Sequence, residues 1–238
     1  MKYVIHKSKS RGLGDYGWLK TNYSFSFAEY MNLDRMGFGV LRVLNDDNIA
    51  GGKGFGAHSH NNMEIITITL SGGLEHKDNI GNVSISKSGD VQVMSAGSGI
   101  VHSEFNAHPD NDLTLLQIWV LPNKMNVMPR YEHRYFDIKT KVNTFHQIIC
   151  PIDSEGEGIG IYQGAWFQRA ILEKDKSLNY SLKKSDNGVY IFVISGQIVI
   201  NNNLKLKTRD AIAIWKINSV ISISAEQDAD ILLMEVPI

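Results

Sequence analysis

The sequence predicts an all-β protein made of two β-sandwich or barrel domains with little helix. Three observations carry that expectation. Short runs rich in Val, Ile, Tyr and Phe recur along the chain, turn signals rich in Gly, Asn, Asp and Ser separate them, and long patterns of 3.6-residue period are scarce. With 238 residues, 43% of them hydrophobic, the chain can bury a sizeable core in one or two domains.

In chain order, "SFSFAEYM" (24–31) is the best helix candidate, with Ser24 as its N-cap. "FGVLRVL" (38–44), "EIITITL" (64–70), "NVSISKSGDVQVM" (82–94) and "LTLLQIWVL" (113–121) read as strands, with "SGG", "DNIGN" and "KSGD" as turns. "LPNKMNVMPRYEHRYFDIKTK" (121–141) carries two prolines and is polar and charged. It reads as the connection between an N-terminal domain (1–134) and a C-terminal one (135–238). "VYIFVISGQIVI" (189–200) and "ADILLMEVP" (229–237) continue the strand-turn-strand texture without a close sequence repeat.

Lys plus Arg is 24 and Asp plus Glu is 25, for a formal net charge of −1, and no long basic run occurs. This argues against direct binding of nucleic acid through its phosphates. The single cysteine, Cys150, allows no intramolecular disulfide, fits a reducing compartment and is expected to be buried and inert. The N-terminal "MKYVIHKSKSRGLGDYG" has no apolar core of a secretory signal. No apolar run approaches the ~20 residues a membrane helix needs. A soluble, cytoplasmic protein without a membrane partner is expected.

Chemistry concentrates in two short stretches. In "GFGAHSHNNMEI" (54–65), His58 and His60 are two apart, so on a strand they project from one face. In "AGSGIVHSEFN" (96–106), His102 and Glu104 repeat that spacing. A lone His on a strand is ordinarily a hydrogen-bonding residue. Two matched pairs flanked by glycines can face one another and converge as three imidazoles and one carboxylate, a set suited to a divalent first-row transition metal. Glu64 is the main competitor. By parity it shares the face of His60, but a straight strand carries it roughly 13 Å away, so only a bulge at Asn61–Asn62 would bring it back; otherwise it is a polar residue behind the site. Gln117 and Trp119 share a face of the following strand, where Trp119 is either cavity wall or core. The glycines of "AGSGI" let the backbone turn tightly before His102.

These stretches carry a family resemblance. "GKGFGAHSHNNMEIITITLSGGLEHKDNIGN" and "GDVQVMSAGSGIVHSEFN" resemble the pirin family of the cupin superfamily, as do "SFSFAEY", "FGVLRVLNDD", "LQIWVLP" and "PRYEHRYF". The likeness is strong over about residues 20 to 136 and beyond them rests on the β-rich layout alone. It implies a bicupin, two jelly-roll domains, with one metal, usually iron, on His58, His60, His102 and Glu104. Ni, Co, Cu, Mn or Zn also suit that donor set. Where pirin-like sequences often carry a His before "SFSF", this chain has Tyr23, which leaves that segment without an expected role in the pocket.

The other histidines read as structural or exposed. His76, in "LEHKDNIG", is expected in a surface hairpin turn and His108 in a polar loop, while His6, His133 and His146 have no paired partner nearby. No His follows His146, so the C-terminal domain cannot build the same site. The resemblance implies a metal-dependent dioxygenase that cleaves flavonols such as quercetin with O₂. A flavonol would coordinate through its 3-hydroxyl or adjacent carbonyl, Glu104 or Glu64 would accept the hydroxyl proton, and the ring would open with loss of carbon monoxide. The alternatives are a metal-loaded interaction or regulatory protein, whose partner the sequence does not identify, and a small-molecule-binding cupin without dioxygenase activity.

Overall fold

A computed structural model describes all 238 residues, Met1–Ile238. Apart from two single-turn 3₁₀ helices, Ser8–Ser10 and Leu33–Arg35, every regular element is a strand. The chain forms two compact units, one of Gly12–Phe136 with Ile161–Gln163, the other of Met1–Arg11, Asp137–Gly160 and Gly164–Ile238.

The strands up to the middle of the chain are β1 (Lys2–His6), β2 (Gly12–Asp15), β3 (Leu19–Tyr23), β4 (Leu41–Ile49), β5 (Gly54–His60), β6 (Glu64–Ser71), β7 (Gly73–Asp78), β8 (Val83–Lys87), β9 (Asp90–Ser95), β10 (Ile100–Asn106), β11 (Leu113–Val120) and β12 (Arg130–Tyr135). All but β1 belong to the first unit. They make a seven-stranded sheet, β12-β9-β6-β11-β4-β3-β2, and a four-stranded sheet, β5-β10-β7-β8. The sheets meet through two apolar clusters, each drawing on both. One joins Leu74 of the small sheet to Leu19, Ile49, Leu113 and Leu115 of the large one. The other joins Ile100 to Ile65 and Met94. Along β10 and β11, side chains between these clusters face the interior with the period of two that strands impose. They include His102, Glu104 and Gln117, all buried.

The second unit holds β1 with β13 (His146–Pro151), β14 (Ile159–Ile161), β15 (Trp166–Leu172), β16 (Ser177–Tyr180), β17 (Asn187–Ile200), β18 (Leu204–Lys207), β19 (Ala211–Trp215) and β20 (Ile221–Pro237). They form one sheet with the order β1-β19-β17-β20-β15-β13-β14, to which β16 adds on β20 and β18 on β17. The long strands β17 and β20 pair through register shifts between Val193 and Ile198. Residues from both halves of each strand enter a single apolar core. β1 pairs with β19, a long-range pairing that local sequence patterns do not reveal. No helix is long and apolar enough to cross a membrane.

Two local expectations are corrected. Residues 24–31 form no helix. Ser24 N donates to Leu44 O (3.0 Å) and Ser26 N to Arg35 O (2.6 Å), so these backbone groups are bonded to segments outside the predicted helix. Ala28 is left-handed (φ 49°) and Phe27 bridges to Tyr30. Ser24 caps nothing, and its hydroxyl is buried without a partner. The stretch 121–141 is more than a connection, because it contains β12, the edge strand paired with β9. Arg130, Glu132 and Arg134 form an ion-paired ladder on its outer face, which is the reason it reads as polar linker.

The turn before His102 shows what its glycines do. Gly97 is left-handed (φ +47°), and a β-carbon there would run into the Val127 carbonyl. That carbonyl accepts from Ser98 N at 2.9 Å. Gly97→Ala should therefore cost about 2–3 kcal/mol in urea unfolding. Gly56→Ala, whose β-carbon meets nothing, should stay within about 0.5 kcal/mol of the parent. Equal stability of the two variants would contradict this account.

Candidate metal centre

The inner face of the small sheet carries the polar residues in register. His102 on β10 lies opposite His58 on β5 and opposite Asp78 on β7. Glu104 lies opposite Phe55 on one side and His76 on the other. The β5–β10 register shifts between His102 and Glu104, so β5 carries an extra residue there. This bulge restores Phe55 to the inner face and aims the Gly56 carbonyl at the His58 ring, 2.8 Å from Nδ1.

The structure brings His58, His60 and His102 together. Each offers a ring nitrogen within 4.8 Å of the others. Ring centroids lie 4.8 Å apart for His58–His60, 4.5 Å for His58–His102 and 5.0 Å for His60–His102. Glu104 is gathered with His102 and His76 in an overlapping group of the same spread. Its two oxygens accept hydrogen bonds from Gln92 Nε2 (2.7 Å) and Gln117 Nε2 (2.6 Å). Each carboxylate oxygen retains a further lone pair.

Burial sets the charge states. It lowers the pKa of His60 to about 4, with the neighbouring His58 adding to the effect. It lowers that of His102 to about 3, helped by His58, His60 and His76. At neutral pH these rings are neutral, the form that ligates a metal. Burial also raises the Glu104 carboxyl to about 7, against the two amide hydrogen bonds and with help from Asp47.

A cavity of about 280 Å³ opens onto these residues. Phe27, Phe55, Ile65 and Trp119 supply apolar walls. The ring of Trp119 stands edge-on to His60 (5.0 Å) and to Phe27 (5.2 Å). Trp119 is thus cavity wall, and so is Phe27, which gives the "SFSF" segment the pocket role that Tyr23 had put in doubt. Asn45 and Asp47 of β4 complete the lining with Gln117. The Oδ1 atoms of Asn45 and Asp47 are buried without hydrogen-bond partners. Burial raises the Asp47 carboxyl to about 7 despite Thr21, and Asp46 adds to the rise.

Relatives of known sequence share this arrangement of the chain. Residues 6–120 match the Pirin family model, and residues 148–236 match the quercetinase C-terminal cupin domain. The quercetin 2,3-dioxygenase of Escherichia coli is 39% identical over 234 residues, covering 98% of each chain. The chain belongs to the pirin family. A pirin-like protein of Caulobacter vibrioides is 37% identical over 94% of this chain and 95% of its own. The crystal structure of the bacterial pirin YhhW from Escherichia coli, in complex with nickel(II), superposes with a TM-score of 0.93 at 38% identity, covering 99% of both chains. The bicupin expectation holds for this pirin as two β-rich cupin units.

The residues of this pirin fit a metal on chemical grounds. His102 Nε2 is buried without a hydrogen-bond partner, a state that costs about 1–3 kcal/mol unless something accepts the lone pair. Neutral imidazoles with a nearby carboxylate are the donor set of a divalent first-row metal.

His76 is a correction. It is fully buried on β7, not exposed in a turn. The turn begins at Asp78, whose Oδ1 accepts from Ile80 N (3.1 Å) and Asn82 N (2.9 Å). The alternation of Leu74, His76 and Asp78 with Glu75 and Lys77 is the signal that would have found it. Asn45 and Asp47, two apart in "LNDDNI", show the same signal. His108 is exposed, and His6, which belongs to the other unit, bonds Tyr190 OH at 3.0 Å.

Glu64 does not line the cavity. The left-handed Asn62 (φ 48°) breaks the strand between His60 and Glu64, so parity does not carry across. Ile65 faces the cavity instead, and Glu64 accepts from Ser95 Oγ at 2.7 Å. Burial raises its carboxyl to about 7, opposed by hydrogen bonds from Ser95 and the Tyr162 backbone and by Arg130. The folded state therefore keeps a proton that the unfolded chain releases near pH 4.5. The stability this group confers falls as pH rises from there through about 7. Glu64→Gln cannot ionise. Its Tm relative to the parent should rise between pH 4.5 and 8, and a difference independent of pH would refute the assignment.

Proposed function

We propose that this pirin is a metal-dependent dioxygenase that cleaves flavonols such as quercetin with O₂. The observation that carries the reading is the convergence of three imidazoles on one wall of an aromatic-lined cavity whose other wall bears unpartnered acceptors. The likeness to the quercetin 2,3-dioxygenase of Escherichia coli supports it. His58, His60 and His102 would hold one divalent metal, with Glu104 as the fourth ligand.

The metal, when bound, would supply a Lewis acid that favours the ionised form of a coordinating hydroxyl, and a partner for O₂. The chain's own residues do the rest. Glu104, held by two side-chain amides with lone pairs to spare, would take the 3-hydroxyl proton onto a carboxylate oxygen. Phe27, Phe55 and Trp119 offer flat faces and edges to an aromatic ligand and keep water from it. Asn45 Oδ1 and Asp47 Oδ1 are acceptors in need of donors, which favours a ligand carrying several hydroxyls over a plain hydrocarbon ring.

Iron-, nickel- or manganese-loaded protein incubated aerobically with quercetin should consume flavonol and oxygen and release carbon monoxide. His102→Ala should abolish turnover. Glu104→Gln should lower kcat by about 10²-fold or more. A flavone lacking the 3-hydroxyl should not react, because it has no proton to lose. Asp47→Leu should raise KM about tenfold, the worth of one hydrogen bond. If every metal form leaves quercetin untouched while metal-free and metal-loaded protein differ in binding a partner protein, the interaction reading replaces this one.

Metal analysis should find one metal per chain, lost in the His58→Ala/His102→Ala double variant. The metal-free protein should keep its β-sheet circular dichroism, because each unit has apolar clusters that contain none of the proposed metal ligands. Its Tm should rise when metal is restored. A second tightly bound metal, or loss of sheet signal on chelation, would count against this.

A further inference from the structure

His102 is continued on its far side by a chain of hydrogen-bonding groups. Its Nδ1 lies 3.4 Å from His76 Nδ1. The other nitrogen of His76, Nε2, lies 3.0 Å from Asp78 Oδ2. Both His76 and Asp78 have fully buried side chains. The His76 ring is also stacked on Tyr131, with centroids 4.1 Å apart and planes 11° from parallel. His76 thus has one position, one orientation and both nitrogens engaged.

The proton positions follow from the end of the chain. Asp78 Oδ1 already accepts two backbone N–H groups, and Oδ2 accepts from Asn82 Nδ2 at 2.8 Å. A carboxylate so placed is an acceptor, and His76 must give it the Nε2 proton. A neutral His76 then presents a lone pair at Nδ1. His102 must donate its own Nδ1 proton to that lone pair, and its Nε2 is left bare. That atom is the buried nitrogen without a partner.

We propose that Asp78 and His76 are a positioning pair that fixes His102 in the Nδ1–H tautomer and so keeps its Nε2 lone pair directed into the metal centre. The inference rests on reading His58, His60 and His102 as that centre. Ligating histidines in general give their second ring proton to a carboxylate or carbonyl. Here His58 does so directly, to Gly56 O. His102 reaches its carboxylate through a second imidazole.

Asp78→Asn is the discriminating variant. The two backbone N–H groups would hold the Asn Oδ1 where Asp78 Oδ1 now sits, so the amide NH₂ would face His76 Nε2. The proton on His76 would move to Nδ1, and that on His102 would be driven to Nε2, where the metal should bind. Cobalt(II) and nickel(II) titrations should show affinity reduced 10- to 100-fold. The d–d spectrum of any remaining cobalt(II) complex should change. His76→Phe, which keeps the stack on Tyr131 and removes both nitrogens, should lower affinity similarly. Lys77→Ala, on the opposite face of β7 where it pairs with Glu75, should bind metal as the parent does.

Nitrogen-15 NMR of the metal-free parent reads the tautomers directly and does not depend on the variants folding. His102 is expected as Nδ1–H and His76 as Nε2–H, and the reverse assignment overturns the proposal. Parent-like metal affinity in folded Asp78→Asn and His76→Phe also overturns it while leaving the centre intact. Failure of the parent to bind cobalt(II) or nickel(II), or parent-like binding by the His58→Ala/His102→Ala double variant, would overturn the centre itself and the pair with it.

Discussion

The placing of unpaired lone pairs inside a β-sandwich is the constraint around which the N-terminal unit is organised. An imidazole nitrogen or a carboxylate oxygen buried among apolar strands is costly unless its other atoms are satisfied. The interior answers with a polar stripe between two apolar clusters. Across the large sheet, Asn45, Gln117, Thr67 and Gln92 lie opposite one another on adjacent strands. Gln117 and Gln92 each turn an amide NH₂ to Glu104. The Gln92 carbonyl oxygen in turn accepts from Ser86 Oγ (3.0 Å) and Tyr131 OH (3.1 Å). The same Tyr131 stacks on His76. The residues beside Glu104 and those behind His102 are therefore joined through one tyrosine on the edge strand β12, and holding one holds the other.

How much of this was legible in the sequence follows from the range of each interaction. Strand alternation is local, so the pairing of His58 with His60 and of His102 with Glu104 on common faces could be read directly, and so could the two-unit β architecture. The meeting of those pairs depends on the β5–β10 register, which the spacing allows but does not fix. His76 reads as a turn residue because "KDNIG" looks like a turn, yet the turn starts at Asp78, two residues later. Asn45 and Asp47 are hard to read as inward-facing because four consecutive polar residues, Asn45 to Asn48, look like a strand end. In the structure β4 runs on to Ile49 with Asn45 and Asp47 facing inward. The absence of a helix at 24–31 was not legible either, since Ser26 is bonded to Arg35 and Ser24 to Leu44, contacts no local propensity reports.

The C-terminal unit shows what a buried acid looks like when it serves the fold alone. Glu235 on β20 is fully buried. Its oxygens accept from Tyr180 OH (2.8 Å), the backbone N–H groups of Lys183 (2.8 Å) and Lys184 (2.9 Å), and Asn187 Nδ2 (2.8 Å). Two backbone donors, a phenol and an amide use up the carboxylate and tie β16 and the following loop to β20. Glu104 is as deeply buried but receives only two side-chain amides, and it faces a cavity instead of a backbone. Both units therefore bury a carboxylate among β-strands, and the difference lies in the balance of donors. Where donors match the lone pairs, the acid is structural. Where lone pairs exceed donors, as at Glu104, His102, Asn45 and Asp47, the spare acceptors line the cavity.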